Sequence, residues 1–111
     1  MGDLNWNDFE KVDMRIGTII EATDFPKARK PAYQLTIDFG EKIGIRTSSA
    51  QITKRYSKKE LVGKQIMAVV NFPKKQIANF FSECLVMGAV DGDDVILMGP
   101  SAKIPNGLKI S

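Results

Sequence analysis

Apolar and polar positions alternate with a period of two along most of this chain, and that period predicts strands rather than helices. Val12, Met14, Ile16 and Ile20 fall on one face of a segment over residues 12–23, with Asp13, Arg15 and Glu21 on the other. Gly17 interrupts this segment in mid-run, the expected mark of a bulge or of a sharp bend at a barrel corner. Tyr33, Leu35, Ile37 and Phe39 alternate with Gln34, Thr36 and Asp38, which predicts a second, half-buried strand ending at Gly40. Beyond a turn at Glu41-Lys42, Ile43, Ile45 and Thr47 alternate with Gly44, Arg46 and Ser48 as a third strand. Two apolar runs, 66–70 and 80–87, predict strands four and five. Between them Asn71-Phe72-Pro73 ends the pairing, because proline cannot donate to a ladder, and Lys74-Lys75 forms an exposed basic tip. Residues 95–98 add a strand after Asp91-Gly92, a tight-turn dipeptide. Pro105-Asn106-Gly107 turns the chain once more before Leu108 and Ile110.

Helical signals are sparse. Residues 52–62 form one candidate: Ser57-Lys58-Lys59-Glu60 has capping-box spacing and Gly63 supplies a stop, with Ile52, Tyr56 and Leu61 facing inward. Asn5 or Asn7 caps a short turn over 5–10 that sets Trp6 and Phe9 on one face. The order is therefore three strands, a short helix, then two strands with extras. That is the layout of an all-β, five-stranded OB-fold barrel, which presents strands two and three and the loops after strands one and four to oligonucleotides.

Length bounds the architecture at one domain over 1–111, with an N-terminal arm at 1–11 and a C-terminal extension at 91–111. No apolar run approaches the roughly 20 residues of a membrane span. The first residues have neither a basic nor an apolar leader region, so a cytoplasmic location is expected, without membrane insertion. The chain has no histidine and a single cysteine, Cys84. This removes histidine acid–base chemistry and any zinc site built from one chain, so no cofactor, no metal and no catalytic residue are expected. Cys84 lies within an apolar run and reads as a small buried hydrophobe. Asp91, Asp93 and Asp94 lack the closing glutamate of a calcium loop, and a hairpin turn accounts for them better.

Net charge is only +3, but its distribution is uneven. Residues 1–26 hold two basic and six acidic side chains, residues 27–80 twelve basic and three acidic, and residues 81–111 two basic and four acidic. A basic middle between acidic ends predicts one positive face, the electrostatic footprint of a nucleic-acid binder; scattered, merely solubilising lysines are the alternative. On the expected barrel, Lys27, Arg29 and Lys30 follow strand one and Lys74 and Lys75 follow strand four. Arg46 and Ser48 line the sheet between them, and Lys54 and Arg55 lie exposed on the helical segment.

Three stretches carry a resemblance. Residues 9–19 (FEKVDMRIGTI), residues 47–56 (TSSAQITKRY) and Val69-Val70-Asn71-Phe72-Pro73 with Ser82-Glu83 closely resemble the family of tRNA-binding OB-fold domains. Such domains occur as free dimers, as appendages on methionyl- and phenylalanyl-tRNA synthetases, and in a branch described as export-related chaperones. The resemblance implies a homodimer that binds tRNA, with Ser82 among the RNA-facing residues and a proposed role in holding unfolded secretory polypeptides. The family usually places Ser, a polar or basic residue, Gly and Met at the start of strand five. Here Glu83, Cys84 and Leu85 follow Ser82, and an acid beside that serine is expected to weaken phosphate contacts.

Two function classes follow. The first is electrostatic capture of a folded RNA shape. Tyr33, Phe39 and Phe72 are expected in the core, which leaves little aromatic surface for stacking bases. The second is a peptide-binding chaperone with Met14, Met67, Met87 and Met98 as adaptable linings, although each is also an ordinary core filler. Trp6 and Phe9, together with Val95, Leu97, Leu108 and Ile110 beyond the five strands, are the candidate dimer interface. Trp6 and Phe9 serve equally well as a plug for the domain's own core.

Overall fold

The computed structural model describes residues 2–111. Strand β1 (Met14–Asp24) is shared between two partners: Met14–Thr18 pairs antiparallel with β4 (Gln65–Val69), and Thr18–Asp24 with β2 (Tyr33–Asp38). The change of partner bends the sheet. Its register slips between Ile19 and Glu21, so the bulge lies there and not at Gly17. The facing before the slip is also opposite to expectation: Ile19, in phase with core-facing Gly17, is fully buried, and Ile20 is exposed. Gly17 has a different cause. A Cβ at this position would come within 2.7 Å of both Ile37 and Phe39, so glycine is what lets the core side chains reach the backbone.

Strand β2 pairs along its length with β3 (Ile45–Ala50), and β7 (Leu85–Val86) pairs with β4. The order β3-β2-β1-β4-β7 curls into a nearly closed five-stranded barrel, with helix α2 (Lys58–Leu61) between β3 and β4. Its core centres on Ile19, Leu35, Ile37, Phe39, Leu61 and Ile66. The helix is shorter than the expected 52–62. The capping box forms as read, with Glu60 N donating to Ser57 Oγ at 3.3 Å and Ser57 N to Glu60 Oε1 at 2.6 Å. Because Ser57 is itself extended, the helix starts there and residues 53–55 form a turn.

The predicted fifth strand is broken into pieces. Strands β5 (Lys75–Ile77) and β6 (Phe80–Ser82) form their own hairpin around Ala78-Asn79, where Ala78 adopts a left-handed φ of 53°. Lys75 therefore lies within a strand and Lys74 just before it, and the tip is Ala78-Asn79. A second hairpin follows, β8 (Gly88–Asp91) and β9 (Asp94–Leu97), turning at Gly92. Strand β10 (Lys109–Ile110) pairs with β1 at Met14 and Arg15. The N-terminal helix α1 (Trp6–Glu10) is capped by Asn5, whose Oδ1 accepts from Asn7 N at 2.8 Å, and buries none of its residues. No helix among the described residues is long and apolar enough to cross a membrane.

Candidate nucleic-acid interface

The loop after β1 is closed by Phe25 N donating to the Ala32 carbonyl at 3.3 Å and Ala28 N to the Phe25 carbonyl at 3.1 Å. Proline at 26 and 31 stiffens both shoulders. Lys27, Arg29 and Lys30 project from this frame without an acidic partner among the described residues. The loop is not independent of the β5–β6 hairpin. Phe25, buried outside the main core, meets the Phe80 ring at 5.4 Å between centroids with a 59° tilt. The two basic segments are thereby joined.

Ser82 fastens the base of the hairpin. Its Oγ accepts from Ser49 N at 3.2 Å and donates to the Cys84 carbonyl at 3.4 Å. A groove runs along this seam, lined by Ser49, Gln51, Phe72, Lys74, Lys75 and Ser82. A more apolar groove adjoins it, bordered by Lys30 and Lys54 and walled by Ile52, Val86 and Val95. Ser49, Gln51 and Leu85 line both, so the two are continuous.

Several expected contacts are otherwise engaged. Ser48 is only 1% exposed and cannot reach a ligand: Ser48 and Ala50 point inward while Ile45 is exposed, the opposite phase from the expected alternation. Arg46 is half-buried and donates from Nη1 to the Val70 carbonyl at 2.7 Å, which ties β3 to the end of β4. Lys54 pairs with Asp93 at 2.8 Å, and Arg55 forks onto Asp94 at 2.8 and 2.7 Å, anchoring the β8–β9 hairpin. Each hydrogen bond raises the basic partner's pKa and lowers the acidic one's. Lys75 is exposed and unpaired among the described residues, like the three cations of the first loop. Lys74 lies 3.4 Å from Glu83.

Glu83 is a structural tie and not simply an acid set beside an RNA-facing serine. Its Oε1 accepts from Thr47 N at 3.1 Å and lies 2.9 Å from Thr47 Oγ1, while Glu83 N donates to the Thr47 carbonyl at 2.8 Å. Burial alone would push its pKa up, but the Thr47 amide and hydroxyl, then Lys74, bring it below the usual value. Cys84 is buried as expected, and desolvation pushes its thiol up to about 12.

Two aromatic residues were not legible as surface. Phe72, expected in the core, is 55% exposed, and Phe81 is 51% exposed. Tyr33 and Phe39 do lie in the core. Period two within 80–82 was the available signal for Phe81, since Phe80 and Ser82 both turn toward the barrel. Of the candidate interface residues, Val95 and Leu97 are half-buried against the core and line the apolar groove, Trp6 and Leu108 are exposed, and Phe9 and Ile110 are half-buried.

Residues 14–109 match the model of a family described as a putative tRNA binding domain. The chain belongs to that family. Among solved structures it is similar to the chaperone CsaA of Bacillus anthracis, at 52% identity and a TM-score of 0.94 over 99% of this chain and 100% of that one. CsaA of Picrophilus torridus shares 56% identity with a TM-score of 0.92, over 98% of this chain and 100% of the other. The methionine–tRNA ligase of Porphyromonas gingivalis is 35% identical over 109 residues, 97% of this chain and 16% of the ligase. The chain thus spans about a sixth of that relative. This tRNA-binding domain has the OB-type barrel of its CsaA neighbours.

Proposed function

We propose that this domain is a non-catalytic binder of folded tRNA that acts in the cytoplasm as a homodimer, with a basic face capturing phosphates. The observation that carries the reading is the set of cations Lys27, Arg29, Lys30 and Lys75, without acidic partners among the described residues, on two segments joined through Phe25 and Phe80; Lys30 borders the apolar groove and Lys75 lines the one that adjoins it. Phosphate capture needs cations free of acidic partners, and these four meet that condition. Lys74 joins them where a phosphate displaces its 3.4 Å contact with Glu83. Arg46 and Ser82 support the face from behind, and Lys54 and Arg55 contribute only where their aspartates are displaced.

The test is tRNA affinity over a salt series for the parent and for a Lys27→Ala/Arg29→Ala/Lys30→Ala variant. Affinity is expected to fall, and the slope of log affinity on log salt to flatten by about one for each phosphate left unneutralised. An unchanged slope in a folded variant would remove the loop from the interface.

A second reading, binding of unfolded polypeptide in the manner of a chaperone, is favoured by the apolar groove beside the basic one. Val90 at its rim is 74% exposed, and Leu85 is half exposed where the grooves meet. An extended chain with apolar side chains would cover this surface. Capture of a permanently unfolded polypeptide, undiminished by high salt, would put this reading first.

A further inference from the structure

The outer side of the β5–β6 hairpin carries a shallow recess lined by Thr47, Lys74, Asn79, Phe80, Phe81 and Glu83. From its make-up we infer that it holds one unpaired nucleobase of an RNA ligand, an inference that rests on the RNA-binding reading above. Phe80 and Ser82 are both turned inward, onto Phe25 and the Ser49 amide, so Phe81 between them must face out. Its half-exposed ring has no aromatic partner among the described residues.

The ring is carried on a fixed backbone. The Thr47 hydroxyl lies 2.8 Å from the Phe81 carbonyl and 2.9 Å from Glu83 Oε1, and the Phe80–Phe25 contact fixes the preceding residue. A flat ring so held is a stacking platform, and every base offers it a face. Asn79 at the hairpin tip is exposed, and its side-chain amide makes no hydrogen bond among the described residues. That amide offers both a donor and an acceptor to a base edge. Lys74 lines the recess too, 3.4 Å from Glu83, and meets the adjoining phosphate by giving up that contact. Platform, amide and cation together match a nucleotide, and an apolar peptide side chain would use only the first. Inside a helix a base has both faces covered by its stacked neighbours and its pairing edge taken, so the feature selected is an unpaired, unstacked base, as in a loop or a single-stranded end.

The test is fluorescence anisotropy with a labelled single-stranded RNA, a fully paired RNA duplex and an unfolded polypeptide. Phe81→Leu keeps apolar bulk but removes the π-face. It should weaken single-stranded RNA binding about tenfold, leave duplex binding and the salt slope unchanged, and be rescued by Phe81→Tyr. A Phe81→Leu protein that binds single-stranded RNA like the parent, while the loop-lysine variant binds more weakly, would overturn the recess and leave the RNA-binding reading standing. Loss of polypeptide binding alone would reassign the recess to peptide. A parent protein that binds no RNA of either kind would overturn both readings together.

Discussion

Glu83, just after β6, ties the chain there to β3 by accepting from the amide and hydroxyl of Thr47, 36 residues earlier in sequence, and it does so in a half-buried position. A lysine in its place would leave the Thr47 amide without its acceptor and put a second ammonium group beside that of Lys74. Glu83→Lys is therefore expected to cost about 2 kcal/mol, the order of a buried donor left unpaired, read as a lower urea midpoint at constant slope. Any gain in RNA affinity must be measured against that loss. The pH dependence has a definite sign. The folded-state pKa lies below the unfolded one, so this contribution is present above pH 4.5 and fades as pH falls through the folded value. Stability that does not differ in its acid limb between the parent and Glu83→Gln would show that the tie is energetically silent. Cys84 has the opposite sense. With its thiol raised from 9.0 to about 12, it favours the fold below pH 9 and loses that contribution between about pH 9 and 12. It should resist a thiol reagent in the native state at about pH 8, and rapid modification there would contradict its burial.

At the scale of elements, period two was enough for β2, where Tyr33, Leu35 and Ile37 are buried and Gln34, Thr36 and Asp38 are not fully so. It failed for β3 and for the second half of β1, and the reasons differ. In β1 Ile19 faces the core in phase with Gly17, ahead of the register slip, and nothing local to Ile19-Ile20-Glu21 announces it. In β3 the inward facing of Ser48 and the exposure of Ile45 depend on contacts with residues 81–84, distant in sequence. The capping box at Ser57 was legible because its two hydrogen bonds are local; the missing helical turns before it were not. The basic segments were legible as loops, but their union through Phe25 and Phe80 is tertiary and invisible to pattern. Gly17 converts this difference into a prediction. A strand glycine with ordinary φ and open space where its Cβ would go would accept alanine at little cost, whereas one whose added Cβ would sit 2.7 Å from Ile37 and Phe39 would not. Gly17→Ala should destabilise by about 1–3 kcal/mol, the cost of overpacking, measured by thermal or urea unfolding. A neutral substitution would mean that the two core side chains repack freely.

At the scale of the whole molecule, the arm before β1 is the part that the barrel does not explain. Helix α1 has five residues and buries none of them, and helices this short are marginal in water unless something covers them. Trp6, 71% exposed, meets its neighbour Phe9 in a tilted aromatic pair at 5.7 Å. Leu4 and Val12 on the same arm are exposed too, and Leu108 is exposed beside β10, which pairs with the start of β1 where the arm ends. These apolar residues are exposed on the arm and beside the strand that meets it. A second copy is the occupant that suits them, with a stable interface of this kind burying on the order of 1,600 Å² in total. Val95 and Leu97 also pack partly on the barrel, so less of their surface is left for an interface than at Trp6 or Leu108. Light scattering at micromolar concentration should give twice the 12.3 kDa chain mass. Trp6→Ala should shift the protein toward monomer without unfolding it, since Trp6 is outside the core. Two copies also bring two cationic loop pairs to one RNA, so the monomeric variant should bind tRNA more weakly than the dimer while its salt slope per chain is kept. A parent protein of monomeric mass would sink the dimer, and equal tRNA affinity for monomer and dimer would show that each chain binds alone.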